Sequence, residues 1–283
     1  MTLRHLNNTT CWFGFAILYA CSSSFAGLLV APTRVILSDE QRVVTVALRH
    51  LGTREGRYRI SAIFNRMRPD GSMEEVKDLK TILPEERSAL KYIRYSPRLA
   101  VLTPNVEQIA RIMVVAPKSL PDGEYRMHLL FEPTEDTEAD SVSSKGGDKS
   151  KGSIGMKLEA KMSVAIPITY KHGKTSFEVQ ISKLKLVQMP DKTLGFSVEM
   201  TSGGNAFARG DFEAFFASQD GKSVRVAQIK GIPSYLDKRS FTTALTIPPD
   251  TKFRNGVLRV EFREAEEGSS EGKLLSFIEG KVP

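Results

Sequence analysis

Between Gly155 and Tyr170 the chain reads as one long alternating strand. Met156, Leu158, Ala160, Met162, Val164 and Ile166 fall on one face, and Lys157, Glu159, Lys161 and Ser163 on the other. Side chains of a strand change face at every residue, so the six apolar groups form one row. Just upstream, Thr134 to Ser153 is rich in Glu, Asp, Ser, Gly and Lys and has no aromatic residue. Such a segment lacks the apolar mass to order itself, and it reads as a flexible lead into the strand. A strand with a strong apolar row on a long lead has two uses. It buries the row in its own domain, or it lends the row to another protein whose core is short of a strand.

The same period-2 pattern runs through the rest of the chain. Leu29 to Leu37 reads as an edge strand, since Pro32 is tolerated only at an edge or a bulge. Arg42–His50, Arg57–Phe64, Tyr92–Val101, Gln108–Val115 and Glu124–Phe131 follow, with turns at Pro69-Asp70-Gly71 and Leu120-Pro121-Asp122-Gly123. After Lys171-His172-Gly173-Lys174 a second series begins: Ser176–Val187, Leu194–Met200, Gly210–Ala217, Ser223–Gln228, Phe241–Ile247 and Gly256–Arg263. Ser202-Gly203-Gly204-Asn205, Asp220-Gly221 and Arg254-Asn255-Gly256 read as its turns. Short alternating strands punctuated by Gly, Pro and Asp predict an all-β chain of two β-sandwiches. The expected division is a leader over 1–26, a first sandwich over 27–171 and a second over 172–283.

The first residues change the picture by adding an address. Arg4 and His5 precede an apolar run from Cys11 to Cys21, and Ser24-Phe25-Ala26 places small residues where a signal peptidase reads, with cleavage before Gly27. A membrane-spanning helix needs about 20 apolar residues, so this run predicts export rather than membrane insertion of the mature chain. A second reading takes Leu18-Tyr19-Ala20-Cys21 as a lipoprotein box. Both cysteines and the only tryptophan, Trp12, lie in this leader. The remainder cannot use disulfides and must be held by apolar burial, which excludes the Cys–Trp–Cys core of antibody domains. The net charge of +7 comes from Lys and Arg scattered among Glu and Asp. Without a run of five or six bases or a basic–aromatic motif, it does not point to nucleic acid.

Candidate chemistry is sparse. His50, His128 and His172 are isolated in sequence, with no spacing that suggests a metal. There is no phosphate-binding glycine loop, and nothing in the sequence supports catalysis or a cofactor. The adjacent carboxylates Glu74–Glu75, Glu85–Glu86 and Glu266–Glu267 read as solvated surface.

Five segments in order carry a resemblance: Pro32-Thr33-Arg34-Val35-Ile36, Tyr95-Ser96-Pro97-Arg98, Gln108-x-x-Arg111, Leu120-Pro121-Asp122-Gly123-Glu124-Tyr125-Arg126, and Ile166-Pro167-Ile168-Thr169-Tyr170-Lys171. Together they resemble the periplasmic pilus-assembly chaperones of the PapD-like family. The glycine-rich Ser202–Asn205 region is more similar to its archaic branch. The second half resembles the family only in β pattern, turn placement and Arg259-Val260-Glu261-Phe262.

The resemblance implies a boomerang of two immunoglobulin-like domains that binds pilus subunits in the periplasm and delivers them to an outer-membrane usher. It implies that the alternating strand completes a subunit's open sandwich, with Met156, Leu158, Ala160, Met162 and Val164 filling the groove. Methionine suits a donor that serves several grooves. Arg34 matches the family's anchor for the subunit's C-terminal carboxylate, a role that a guanidinium fills through paired hydrogen bonds. The family's second anchor, a lysine, falls on Pro167 here, which leaves Arg94 and Arg98 as candidate substitutes. Arg111 and Glu124 match a buried interdomain ion pair. The competing expectation is an exported structural or adhesive surface protein, in which the apolar row is ordinary core.

Overall fold

The computed structural model describes residues 27–134, 161–219, 221–235, 237–265 and 272–283. The leader with Cys11, Cys21 and the expected cleavage site before Gly27 lies outside them, apart from Gly27 itself. So do residues 135–153 of the expected flexible lead and Met156, Leu158 and Ala160 of the apolar row. Apart from two short 3-10 turns, the regular structure is all β.

Eleven strands form the first body. They are β1 (Leu28–Ala31), β2 (Val35–Ser38), β3 (Val43–His50), β4 (Gly56–Ile63), β5 (Asn65–Met67), β6 (Met73–Glu75), β7 (Ile93–Ser96), β8 (Leu99–Leu102), β9 (Glu107–Val114), β10 (Gly123–Pro133) and β11 (Val164–His172). One sheet runs β1-β3-β9-β7 and the facing sheet β2-β11-β10-β4-β8, with β5 and β6 as a separate hairpin. Discounting β2 and β8, this is the two-sheet strand order of an immunoglobulin sandwich. Val46, Leu48, Ile112, Met127, Leu129 and Ile168 are among the apolar residues sealed between the sheets.

Seven strands form the second body: β12 (Phe177–Gln188), β13 (Leu194–Gly204), β14 (Arg209–Ser218), β15 (Ser223–Pro233), β16 (Lys238–Ala244), β17 (Gly256–Glu264) and β18 (Leu274–Val282). Its sheets run β12-β13-β16 and β15-β14-β17-β18. Its core centres on aromatic rings, with Phe212 stacked on Phe241 at 4.3 Å between centroids and tilted against Phe262 at 4.8 Å.

Several sequence expectations are corrected. Leu29–Leu37 is not one edge strand: β1 pairs with β3 in one sheet and β2 lies parallel to β11 in the other, with Arg34 at the crossing. Tyr92–Val101 likewise divides at Pro97, where β7 joins β9 and β8 joins β4. Both segments interrupt their ladders with a proline, which lacks the N–H a continuous strand would donate. Ser202, Gly203 and Gly204 are not a turn but the end of β13, paired with Val179, Glu178 and Phe177. The described part of the alternating strand begins at Val164, because Lys161 to Ser163 have no regular structure. β18 and the β5–β6 hairpin were not expected.

The joint between the bodies is short and firmly held. The backbone N–H of Gly173 donates to Asp39 Oδ2 at 2.9 Å, and that of Lys174 donates to Asp122 Oδ2 at 3.0 Å. Asn205 Nδ2 donates to the carbonyls of Asp122 and Lys174 at 3.2 and 2.9 Å. Asp39 also accepts from Tyr170 at 2.7 Å, and the bonds from Gly173, Tyr170 and His172 hold its carboxyl down at about 2. Gly173 has φ +59, and an added Cβ would collide with the Asp122 carboxylate. Gly173→Ala is expected to cost about 1–2 kcal/mol of stability in urea unfolding, from the left-handed conformation and the disturbed Asp122 bond.

Candidate partner-binding site

The row that began as a sequence pattern runs out of the core along β11. Tyr170 and Ile168 are 0% exposed, Ile166 is 2% exposed, Val164 is half-buried, and Met162, next in the same register, is 72% exposed. The edge changes over the same length. β2 pairs with Ile168–Lys171 only, so Val164–Pro167 have β10 on one side and, among the described residues, no strand on the other. Pro167 sits opposite the crossing that carries Arg34, one residue before the β2 ladder starts. A proline is tolerated where its missing N–H would face an open edge. Upstream of Arg34 the strand therefore offers an unpaired main-chain edge flanked by an apolar row that is losing its cover.

Arg34 opens onto a cleft of about 320 Å3 between the two bodies. Its charged walls are Arg34, Glu124 and Lys171 from the first body and Arg209 and Glu264 from the second. Phe207 and Tyr235, edge to face at 5.3 Å, line it as well. Glu124 stands opposite Lys171 across the β10–β11 ladder. It is buried, and it accepts from the Phe207 N–H at 3.4 Å, while its own N–H donates to the Asn205 carbonyl at 2.8 Å. Burial pushes its carboxyl up, opposed first by Lys171 and further by the Phe207 N–H, Arg34 and Arg126.

The placements sort the expected site residues. Arg34, Glu124 and Pro167 meet in the cleft. Arg111 does not: it is exposed on β9, in the opposite sheet beside Thr45 and Ser96, so the expected Arg111–Glu124 ion pair is not formed. Glu124 does bridge the two bodies, but through backbone groups of the second. Arg94 and Arg98 are not second cations of the cleft either. Arg94 donates to the Lys91 and Ile93 carbonyls, and Arg98 lies 3.7 Å over the Tyr95 ring, beside Arg57 and Arg59. Lys171 and Arg209 occupy that place. Glu86, expected as solvated surface, is largely covered and clamped by Arg66 through two bonds of 2.7 Å.

Sequence reasoning missed a buried polar row on the outer face of β10. Glu124, Arg126 and His128 alternate with the core residues Tyr125, Met127 and Leu129, so period alone puts them toward solvent, although the family resemblance implies burial for Glu124; all three are buried. Arg126 donates to the Asn65 carbonyl at 2.7 Å and lies 4.5 Å from the Phe64 ring and 4.2 Å from that of Tyr235. The only hint in the sequence is that Phe64 extends the apolar pattern beyond β4 toward the hairpin. A guanidinium between aromatic faces is a favourable contact that ties the hairpin side of the first body to the second.

Burial and the Arg126 charge drive His128 down from 6.5 to about 4. The folded state therefore binds this proton less readily than the unfolded chain. Stability should fall as pH drops from about 6.5 to about 4, by up to about 3 kcal/mol in all. Urea unfolding at pH 7 and pH 4.5 should show a smaller pH loss in His128→Gln than in the wild type.

Among the described residues no three His, Cys, Asp or Glu side chains gather as metal ligands, and no helix is long and apolar enough to cross a membrane. No family model matches the chain, and no curated protein matches it in sequence. In structure the chain is similar to the class 5 fimbriae chaperone CfaA, at 12% identity and TM-score 0.44, over 91% of this chain and 100% of that one. It is also similar to a chain of the CsuC–CsuE chaperone–tip adhesion subunit pre-assembly complex from archaic Csu pili of Acinetobacter baumannii. That match has 13% identity and TM-score 0.44, over 90% of this chain and 98% of that one. A third likeness is to the Escherichia coli chaperone DraB, at 12% identity and TM-score 0.43, over 91% and 97% of the two chains.

Proposed function

We propose that this protein is a non-enzymatic periplasmic chaperone of pilus subunits, of the PapD-like family. It lends β11 and its upstream extension to a subunit that lacks a strand, and passes the subunit to an outer-membrane usher. One observation carries this reading: the edge of β11 loses its partner strand at Pro167, and the apolar row that is core at Tyr170, Ile168 and Ile166 is exposed by Met162, just beyond the strand's start. Extended upstream in the same register, the row is Ala160, Leu158 and Met156. An incoming sandwich would gain main-chain bonds from the edge and fill its groove with the row, the usual logic of strand addition. Ordinary core would not leave a methionine of the row in water.

Arg34 and Lys171 support the second half of the reading. They place positive charge at the inner end of the open edge, where a strand paired to Val164–Pro167 would stop against β2. A terminal carboxylate is the anion such a strand would bring. Domains of 27–171 and 172–283 follow the two hydrophobic cores.

Co-purification from periplasm tests the whole reading. The tagged protein is expected to bring with it a small β-sandwich subunit that unfolds when released. Recovery of the protein alone, from cells that assemble pili, would favour the structural or adhesive alternative. Intact mass is expected to begin near Gly27, and a diacylglyceryl group on Cys21 would contradict a soluble periplasmic species.

A further inference from the structure

Glu124 is an unusual neighbour for an anion anchor. The cleft holds three cations, Arg34, Lys171 and Arg209, and two carboxylates, Glu124 and Glu264, so its surplus is a single positive charge. Glu124 is also the more enclosed of the two carboxylates, buried where Glu264 is half-buried. Every packed element presents something to it: Arg34 from the crossing before β2, Lys171 from β11, Arg126 from its own strand, and the Phe207 N–H and the Tyr235 ring from the second body.

We infer that Glu124 governs how strongly the cleft holds a carboxylate, by competing with the incoming anion for the charges of Arg34 and Lys171. The inference rests on the proposed anchoring role of Arg34 and adds a control to it. While Glu124 is ionised, part of the field of both cations is already answered, and a second carboxylate meets a like charge at short range in a partly dry cleft. When Glu124 takes up a proton the surplus rises from one positive charge to two, without any movement of the backbone.

The surroundings of Glu124 support that proton uptake, because burial raises its carboxyl relative to an exposed glutamate. A peptide's terminal carboxylate ionises near 3.5 and remains charged at mildly acidic pH. Capture should therefore tighten as the pH is lowered and weaken again only when the ligand itself protonates. Glu124 is a positioning residue in this scheme, acting on the ligand through Arg34 and Lys171.

The probe is a pair of six-residue peptides of alternating Val and Thr, one with a free terminal carboxylate and one amidated, titrated against the full protein by calorimetry. In the wild type the preference for the acid over the amide should be modest at pH 7 and grow as the pH is lowered to 5. In Glu124→Gln the preference should already be larger at pH 7, by roughly tenfold, and nearly flat with pH. Parallel pH profiles of equal preference in the two proteins would overturn the role of Glu124 and leave the anchor standing. If neither protein prefers the acid, or neither binds either peptide, the anchor itself fails. The wild-type profile alone decides the matter should Glu124→Gln not fold.

Discussion

Leu158→Glu should abolish subunit capture, while Lys157→Glu, one residue away, should leave it close to wild type. The two changes add the same group to neighbouring positions, and only the period of a strand separates them. Leu158 lies in the register of Met162, Val164 and Ile166, so in a completed sandwich its side chain points into the subunit's core. An unpaired carboxylate there costs several kcal/mol, on the order of a hundredfold or more in affinity. Lys157 would face the solvent side. The free protein should tolerate both changes within about 0.5 kcal/mol, because the same row is already exposed at Met162. Thermal melts paired with pull-down of the subunit give the answer. If Leu158→Glu unfolds the first body and the wild type recovers no partner, the row is ordinary core and the chaperone reading is retired.

Arg34→Ala should cost about 2–5 kcal/mol of subunit binding, the range for losing one partner of a desolvated charge pair. Its effect on folding should be small: Arg34 sits at the crossing between two ladders rather than within either, and it is only half-buried. Lys171→Ala should weaken capture less, since Lys171 is more exposed and directly faces Glu124. Co-purification of wild-type amounts of subunit with Arg34→Ala would show that the carboxylate is held elsewhere. Glu124→Gln is expected to move affinity in the opposite direction. Together the variants ask whether the cleft works by its net charge.

Much of the fold could be read from the chain, because a strand with one face on a core must alternate. β3, β4, β9 and β10 fall within a residue or two of where their patterns place them. The even-numbered row from Val164 to Tyr170 keeps the expected register throughout. The failures share a cause. β1 and β2, and again β7 and β8, read as one strand each although they belong to opposite sheets. The buried positions change parity at each crossing, from Val30 to Val35 and Leu37, and from Ile93 and Tyr95 to Ala100 and Leu102. That change of phase, together with Pro32 and Pro97, is the trace the crossing leaves in the sequence.

The candidate site divides the same way. Arg34 and the apolar row were visible as residue types at matching positions. The exchange of Arg111 for backbone groups of the second body as the partners of Glu124 was not, nor were Lys171 and Arg209 as cations of the cleft. These depend on which surfaces of two separate sandwiches meet.

By itself the sequence determined the class of the protein: strands, their turns, two cores without disulfides, and one long apolar row. Local alternation and turn chemistry suffice for that, since each is set by residues a few positions apart. Only the tertiary structure decided where the row stops being core, and that Arg126 and His128 lie under a second layer rather than in water. Alternation records which side of a strand faces its own core. It is silent about what covers the other side, and here that covering, by the hairpin and the second body, makes the cleft.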